Sequence, residues 1–358
     1  MSRTLVSLLA LLSACLAGPA CSGRICTLSP RPVSTTTSFE AVAETGKGLR
    51  FRGTPGPGRD THIVFLAGDE EYRSEETLPT LAKLLAKRHG FTCTVLFAMD
   101  ADNEFIDPDA SGNIPGLEVL EHADALVLFT RFRRLPDADM QHIVDFVESG
   151  RPLLGLRTAT HAFAYEDDSS SEYAHWSWNN SAWPGGFGKQ VLGETWVAHH
   201  GRHGSESTRG LVEPSAAGHP ILRGVDTLWG PTDVYAIRQL PADATVLVRG
   251  AVLDGMTRDS EPVNDARNAP MMPIVWTRAR ALDNGQTQRV VASTLGASVD
   301  FADEGVRRVL VNACFWIAGL ESKITPDLDV RTVGDFEPTM FGFGNAVKHV
   351  KPEELAFP

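Results

Sequence analysis

His62-Ile63-Val64-Phe65-Leu66-Ala67-Gly68, followed at once by Asp69-Glu70-Glu71-Tyr72-Arg73-Ser74-Glu75-Glu76, is the stretch on which the fold turns. The unbroken apolar run from Ile63 to Ala67 has the form of a strand buried on both faces, and Gly68 ends it. Ser74, Glu75 and Glu76 then supply the cap and acidic first turn of a helix. Leu78, Leu81, Leu84 and Leu85 make its apolar stripe as far as His89-Gly90. A buried strand feeding an amphipathic helix is a β-α unit, and the pattern recurs down the chain. Thr92 to Ala98 predicts a second strand, Ala125 to Phe129 a third and Pro152 to Leu156 a fourth. Between the last two, Met140, Ile143, Val144 and Val147 lie at helical spacing within Asp137 to Ser149. Such alternation implies an α/β fold with a doubly wound parallel sheet. Ala244–Val248, Met272–Thr277 and Arg289–Leu295 are candidates to extend the sheet, Glu304–Leu320 reads as a closing helix, and a Pro-punctuated tail follows Ile324.

A chain of 358 residues, 42% hydrophobic and 22% charged, buries a substantial core and is neither disordered nor polytopic in a membrane. No internal repeat or second independent core is visible, so one domain with long loop insertions is expected. The formal net charge of −12 argues against a nonspecific nucleic-acid partner, which would need cations to neutralise phosphates. Met1 to Cys26 carries Arg3 and then a short apolar run, Leu5 to Leu12, too short to span a bilayer, and reads as an export signal. Leu12-Ser13-Ala14-Cys15 resembles a bacterial lipobox, which would make Cys15 the lipid-bearing residue; ordinary cleavage near Ala17 or Ala20 is the alternative. The predicted location is therefore periplasmic or outer-surface, with membrane contact only through the lipid anchor. Cys93 and Cys314 sit among apolar residues and read as packed thiols, and the five cysteines form neither a disulfide framework nor a zinc pattern.

In an open parallel sheet, ligands bind beyond the carboxyl ends of the strands. The residues found there are polar: Asp69 to Glu75 after the first strand, Thr130-Arg131-Phe132-Arg133 after the third, and Arg157-Thr158-Ala159-Thr160-His161 after the fourth. In a flavodoxin-like order the first, third and fourth strands are neighbours, which would gather Asp69, Glu70, Arg131, Arg157 and His161. The long, weakly periodic stretch from Phe163 to Asp233 adds Trp196-Val197-Ala198-His199-His200-Gly201-Arg202-His203. Three imidazoles suit either a divalent transition metal, held by His199, His200 or His203, or proton transfer to a polar ligand, or a solvated loop. Gly201 breaks any regular helix there, and the spacing matches no zinc motif. Trp176, Trp178, Asn179, Asn180, Trp183 and Phe187 suit either a sugar-binding face or the core of an insertion. No Gly-x-Ser-x-Gly elbow, Walker loop or dinucleotide fingerprint follows a strand.

Several of these segments resemble the ThuA-like (trehalose-utilisation) family, a branch of the class I glutamine amidotransferase-like superfamily, and its exported planctomycete-type members above all. The carrying segments are Ala67 to Glu76, Leu128 to Arg133, Gly155 to His161, Gly193-Glu194-Thr195-Trp196 with His199-His200-Gly201, His219-Pro220-Ile221, and Gly230 to Tyr235. The resemblance implies a flavodoxin-like fold and the division 1–26 signal peptide, 27–60 linker, 61–322 ThuA-like domain and 323–358 tail. Arg157 stands where amidotransferases carry their nucleophilic Cys, and a guanidinium cannot attack an amide, so glutaminase chemistry is not expected. By analogy the ligand is a carbohydrate or a 3-keto-glycoside supplied by an upstream sugar oxidoreductase. Eliminating the glycosyl oxygen beside a ketone needs a base, an acid and enolate stabilisation. The resemblance puts His161 or His200, Glu70 or Glu75, and Arg131 with Arg157 in those roles, a metal being able to replace the arginines. Asp69, Arg73, Thr158, Trp196, Asp233 and Tyr235 are its candidate substrate contacts. A non-catalytic carbohydrate-binding or scaffold protein and a metal-dependent hydrolase are the competing readings.

Overall fold

A computed structural model describes residues 40–43, 48–166 and 169–356, all within one compact unit. The expected leader and Cys15 lie outside these residues. Among the described residues no helix is long and apolar enough to cross a membrane. The strands are β1 (Glu40–Ala43), β2 (Leu49–Arg52), β3 (His62–Gly68), β4 (Thr92–Phe97), β5 (Ala125–Thr130), β6 (Leu153–Leu156), β7 (Thr208–Val212), β8 (Leu228–Gly230), β9 (Ala244–Val252), β10 (Met272–Ala281) and β11 (Thr287–Ser293). The helices are α1 (Ser74–His89), α2 (Asp137–Glu148), α3 (Ser298–Phe301) and α4 (Glu304–Ile317).

All the described strands join one mixed sheet in the order β1-β2-β4-β3-β5-β6-β11-β10-β9-β7-β8. The block β4-β3-β5-β6-β11 is parallel, so the first, third and fourth strands predicted from the sequence are indeed neighbours. Alternate residues of β3 enter opposite cores: Ile63 and Phe65 pack with α1 and α4, whereas Val64 and Leu66 pack with α2. That two-sided burial is why β3 and β5 read as unbroken apolar runs. Helix α1 ends at Gly90, whose φ of 84° lets its N–H reach the carbonyls of Leu85 and Ala86.

The sheet departs from the expected all-parallel form at both ends. Strands β9 and β10 extend it but run antiparallel: the short turn 282–286 folds β11 back on β10, and the longer loop 253–271 returns β10 against β9 without a crossover helix. The expected linker 27–60 contains β1 and β2, and β2 pairs antiparallel with β4 while Leu49 and Phe51 face the core. The expected tail is also part of the body, since Ile324, Val330, Phe341 and Ala356 are buried in the core beside α1 and α4. Cys93 and Cys314 are fully buried, and desolvation raises both thiols, in keeping with packed, unreactive side chains.

Candidate functional site

The parallel strands deliver their polar termini to one place. Asp69 follows β3, Arg131 follows β5, and Arg157 follows β6. Arg73, Phe132 and Arg157 all hold positive φ (63°, 50° and 42°), a left-handed conformation that side chains rarely adopt and that collects at functional sites.

Arg157 is fully buried between the rings of Tyr72 and Tyr235, with its guanidinium carbon 4.4 and 3.8 Å from their centroids. One terminal nitrogen donates to the carbonyls of Asp233 (2.8 Å) and Thr294 (2.7 Å). The other donates to Asp233 Oδ1 (2.9 Å) and to the Tyr72 hydroxyl (3.2 Å). Its terminal N–H groups are thus consumed inside the protein, which makes Arg157 the buried partner of Asp233 in place of the enolate stabiliser expected from its position. Burial by itself would raise the Asp233 carboxyl, but Arg157 and hydrogen bonds from His199 and His203 outweigh it and hold the group far below the usual carboxylate range. Asp300 fixes the same loop, accepting from Thr232 N (3.1 Å) and Thr232 Oγ1 (2.8 Å).

Asp233 gathers two of the three predicted imidazoles. His199 Nδ1 lies 2.7 Å from Asp233 Oδ2, and His203 Nδ1 lies 3.3 Å from Asp233 Oδ1. Glu71 Oε1 is 3.3 Å from the other nitrogen of His203. Asp233 is fully buried, whereas the two imidazoles are about one-third exposed (35% and 34%), so the cluster is reachable from solvent. His200 is not part of it: His199 forms an antiparallel bridge with Tyr235, neighbouring side chains on extended backbone face opposite sides, and His200 Nε2 bonds the Arg267 carbonyl at 2.8 Å. Of the expected His199, His200 and His203, the structure brings together His199 and His203, with Asp233 as the carboxylate they share.

Around this cluster lie aromatic rings. Trp196 lies 5.5 Å from His161 and 5.7 Å from His199, Phe132 lies 4.9 Å from His161, and Tyr235 lies 5.6 Å from His199. Burial, with help from Arg131 and Arg157, holds His161 well below the usual imidazole range, so it is neutral at pH 7. Trp178 joins this group against Trp196 and Phe132, whereas Trp176 stacks on Phe187 at 5.6 Å inside the core. The aromatic stretch is therefore split, with Trp176 and Phe187 in the core and Trp178 beside Phe132 and Trp196.

The remaining predicted residues fall into two groups. Asp69 accepts from Thr158 Oγ1 (2.5 Å) and from the amides of Glu71 and Tyr72, which shapes the turn after β3. Glu70 is clamped by Arg131 and Arg133, yet desolvation and Asp69 still raise its carboxyl. Arg73 points away to the tail, donating to Gly342 O (2.8 Å) and Thr339 Oγ1 (3.2 Å). Glu75 lines a separate cavity of about 340 Å³ between α1 and the tail, with Glu76, Lys83, Phe336 and Thr339 among its walls. Both Glu75 carboxyl oxygens are buried without a hydrogen-bond partner, and desolvation raises the group to about 8. Arg73 and Glu75 are thus not brought to the Asp233 cluster.

Sequence reasoning missed Glu71 as a partner of His203, Tyr72 as a partner of Arg157, and the tail as a wall. Phe341 lies 5.5 Å from Tyr72 and 5.1 Å from His203, while the ring of Phe343 sits under Arg131 at 5.0 Å. The only signal was the aromatic–glycine alternation Phe341-Gly342-Phe343-Gly344 in an otherwise irregular tail.

No protein-family model matches the chain, and no curated protein matches it. Similar solved structures include a ThuA-like protein from Bacteroides uniformis ATCC 8492, 16% identical over 76% of this chain and 97% of that one, with a TM-score of 0.46. A ThuA-like protein from Parabacteroides merdae ATCC 43184 is 12% identical over 79% and 97%, with a TM-score of 0.47. A glutamine amidotransferase from Thermotoga maritima is 12% identical over 75% and 87%, with a TM-score of 0.29.

Proposed function

We propose that the chain is an exported ThuA-like protein with a flavodoxin-like, class I glutamine amidotransferase-like body, and that it processes a carbohydrate, preferentially a 3-keto-glycoside. The observation that carries this reading is the pairing of a solvent-reachable His199–Asp233–His203 cluster with the rings of Trp196, Phe132 and Tyr235. Flat aromatic faces stack on the C–H face of a sugar while polar groups beside them take its oxygens. The motif segments around Asp69, Arg131, Arg157 and Asp233 support the family. The apolar leader supports export, with Cys15 as the lipid anchor.

In the elimination, the C–H bond next to the ketone breaks and its proton passes to a base. The freed electron pair forms an enolate and then a C=C bond as the glycosidic C–O bond breaks, and the departing oxygen takes a proton to leave as an alcohol. Neutral His161 is the base in this arrangement, being unprotonated at pH 7. His199, whose Nδ1 is held by Asp233, turns its other ring nitrogen to the ketone oxygen, and Arg131, the guanidinium beside Phe132 and Glu71, adds positive charge near the cluster. Glu70 remains a candidate acid, because its raised carboxyl retains a proton more readily than a free one.

The test is to incubate the purified protein with 3-keto-disaccharides and their unoxidised parents and to follow substrate loss and product mass by mass spectrometry. Consumption of the keto forms alone, lost in His161→Gln, supports elimination. Saturable sugar binding without turnover, with or without added divalent metal, replaces it with the binding-protein reading, which Arg157, its terminal nitrogens bonded inside the protein at the former nucleophile position, favours.

A further inference from the structure

The geometry points to a mononuclear divalent transition-metal centre held by Nδ1 of His199, Nδ1 of His203 and the carboxylate of Asp233. This deepens the reading above, because the metal would hold the substrate oxygen there assigned to His199.

Three features carry the assignment. The first is spacing. Nitrogen and oxygen ligands about 2.0–2.1 Å from a metal stand roughly 3–3.4 Å apart around an octahedral or tetrahedral ion. Here the ligand atoms of the three residues all lie within 4.8 Å of one another, with nitrogen–oxygen separations of 2.7 and 3.3 Å.

The second is donor counting at His203. This ring faces a carboxylate at each nitrogen, Asp233 at Nδ1 and Glu71 at Nε2. With Nε2–H donating to Glu71, Nδ1 turns its lone pair toward Asp233, with the Tyr72 hydroxyl 3.4 Å away. A metal at Nδ1 uses that lone pair: Nδ1 and Asp233 both ligate, and Nε2–H donates to Glu71. The result is the carboxylate–histidine–metal arrangement that fixes ring orientation in known metal sites.

The third is preorganisation by the surrounding chain. Arg157 and the Thr232–Asp300 contacts immobilise Asp233, and Gly201 lets the histidine loop press against it. A Cβ at Gly201 would come within 3.2 Å of Asp233 Cβ, so glycine allows this close approach of the histidine loop to Asp233. Two imidazoles and one carboxylate suit zinc, iron, cobalt and similar ions. Three protein ligands leave at least one position open, and both rings are one-third exposed, so a substrate carbonyl or hydroxyl can enter it.

Zn²⁺ and Co²⁺ are the probes, applied to the full purified chain after chelator treatment and exchange into metal-free buffer. Calorimetric titration is expected to give one Zn²⁺ per chain, and Co²⁺ to give visible d–d bands of an imidazole–carboxylate site. His203→Gln is expected to weaken Zn²⁺ affinity at least 100-fold with an unchanged unfolding midpoint. His200→Gln, outside the cluster, is expected to bind as the parent does. Asp233→Asn tests the carboxylate, and if that variant fails to fold, His199→Gln serves in its place. Stoichiometric binding that is lost in His203→Gln supports the centre even when no sugar is turned over, an outcome that sinks only the keto-glycoside reading. Sugar turnover by metal-free protein, undiminished by chelator and with no Zn²⁺ uptake, overturns the centre and leaves that reading standing. Equal binding by parent and His203→Gln also overturns it.

Discussion

Replacing Glu75 by Gln should change how the stability of this protein depends on pH, by an amount the structure sets. Both carboxyl oxygens are buried and unpartnered, and desolvation raises the group to about 8 from an ordinary value of 4.5. Between those values the folded chain keeps a proton that the unfolded chain has released. An acid with a raised folded value therefore costs stability as pH rises, from above about 4.5 until the folded group itself ionises near 8. At about 1.4 kcal/mol per unit, the parent should lose about 2–3 kcal/mol more than Glu75→Gln between pH 6 and pH 9. Gln keeps the volume and carries no charge at either pH, so the comparison cancels the other titrating groups. Urea denaturation of both proteins at pH 5, 6, 7.5 and 9 provides the measurement. Parallel pH profiles would refute the reasoning and mean that the carboxyl is hydrated or paired in solution. Convergence near pH 5 and separation at pH 9 would establish Glu75 as a neutral acid under the tail, remote from the imidazole cluster.

Arg157→Met should cost about 3–5 kcal/mol in the same assay, since it leaves Asp233 as a buried anion without its guanidinium; a parent-like midpoint would remove the ion pair from the account of the fold. Thr158→Val deletes the hydroxyl that donates to Asp69 while keeping the shape, and should cost about 1–3 kcal/mol. Phe341→Ala should cost about 3 kcal/mol and speed hydrogen exchange in residues 335–356, leaving the β3 and β5 amides protected. In a chain beginning after Cys26, a thiol reagent should titrate neither Cys93 nor Cys314 in the native state and both in denaturant, because both are buried.

The parallel block and helix α1 were legible because burial writes itself into composition. A strand covered on both faces must be apolar throughout, and a helix covered on one side must repeat every three to four residues. Strand β2 obeys a different rule: Leu49 and Phe51 alternate with Arg50 and Arg52 beside the edge strand β1, and four residues of alternation were lost among the glycines and prolines around them. The tail lacks periodicity altogether, because its hold on the core comes from single side chains such as Phe341 on irregular backbone. At the site, the sequence placed the strand ends correctly but could not say what surrounds them. Arg157 is consumed by Tyr72, Asp233 and Thr294, contributed by segments 76 to 137 residues away. The histidines make the same point more sharply. His199 and His200 are adjacent and chemically identical, yet the bridge of His199 to Tyr235 turns one ring to Asp233 and the other to the Arg267 carbonyl. Which imidazole serves the site is decided by pairing of His199 with Tyr235, 36 residues on. Composition and local spacing hold no record of that pairing.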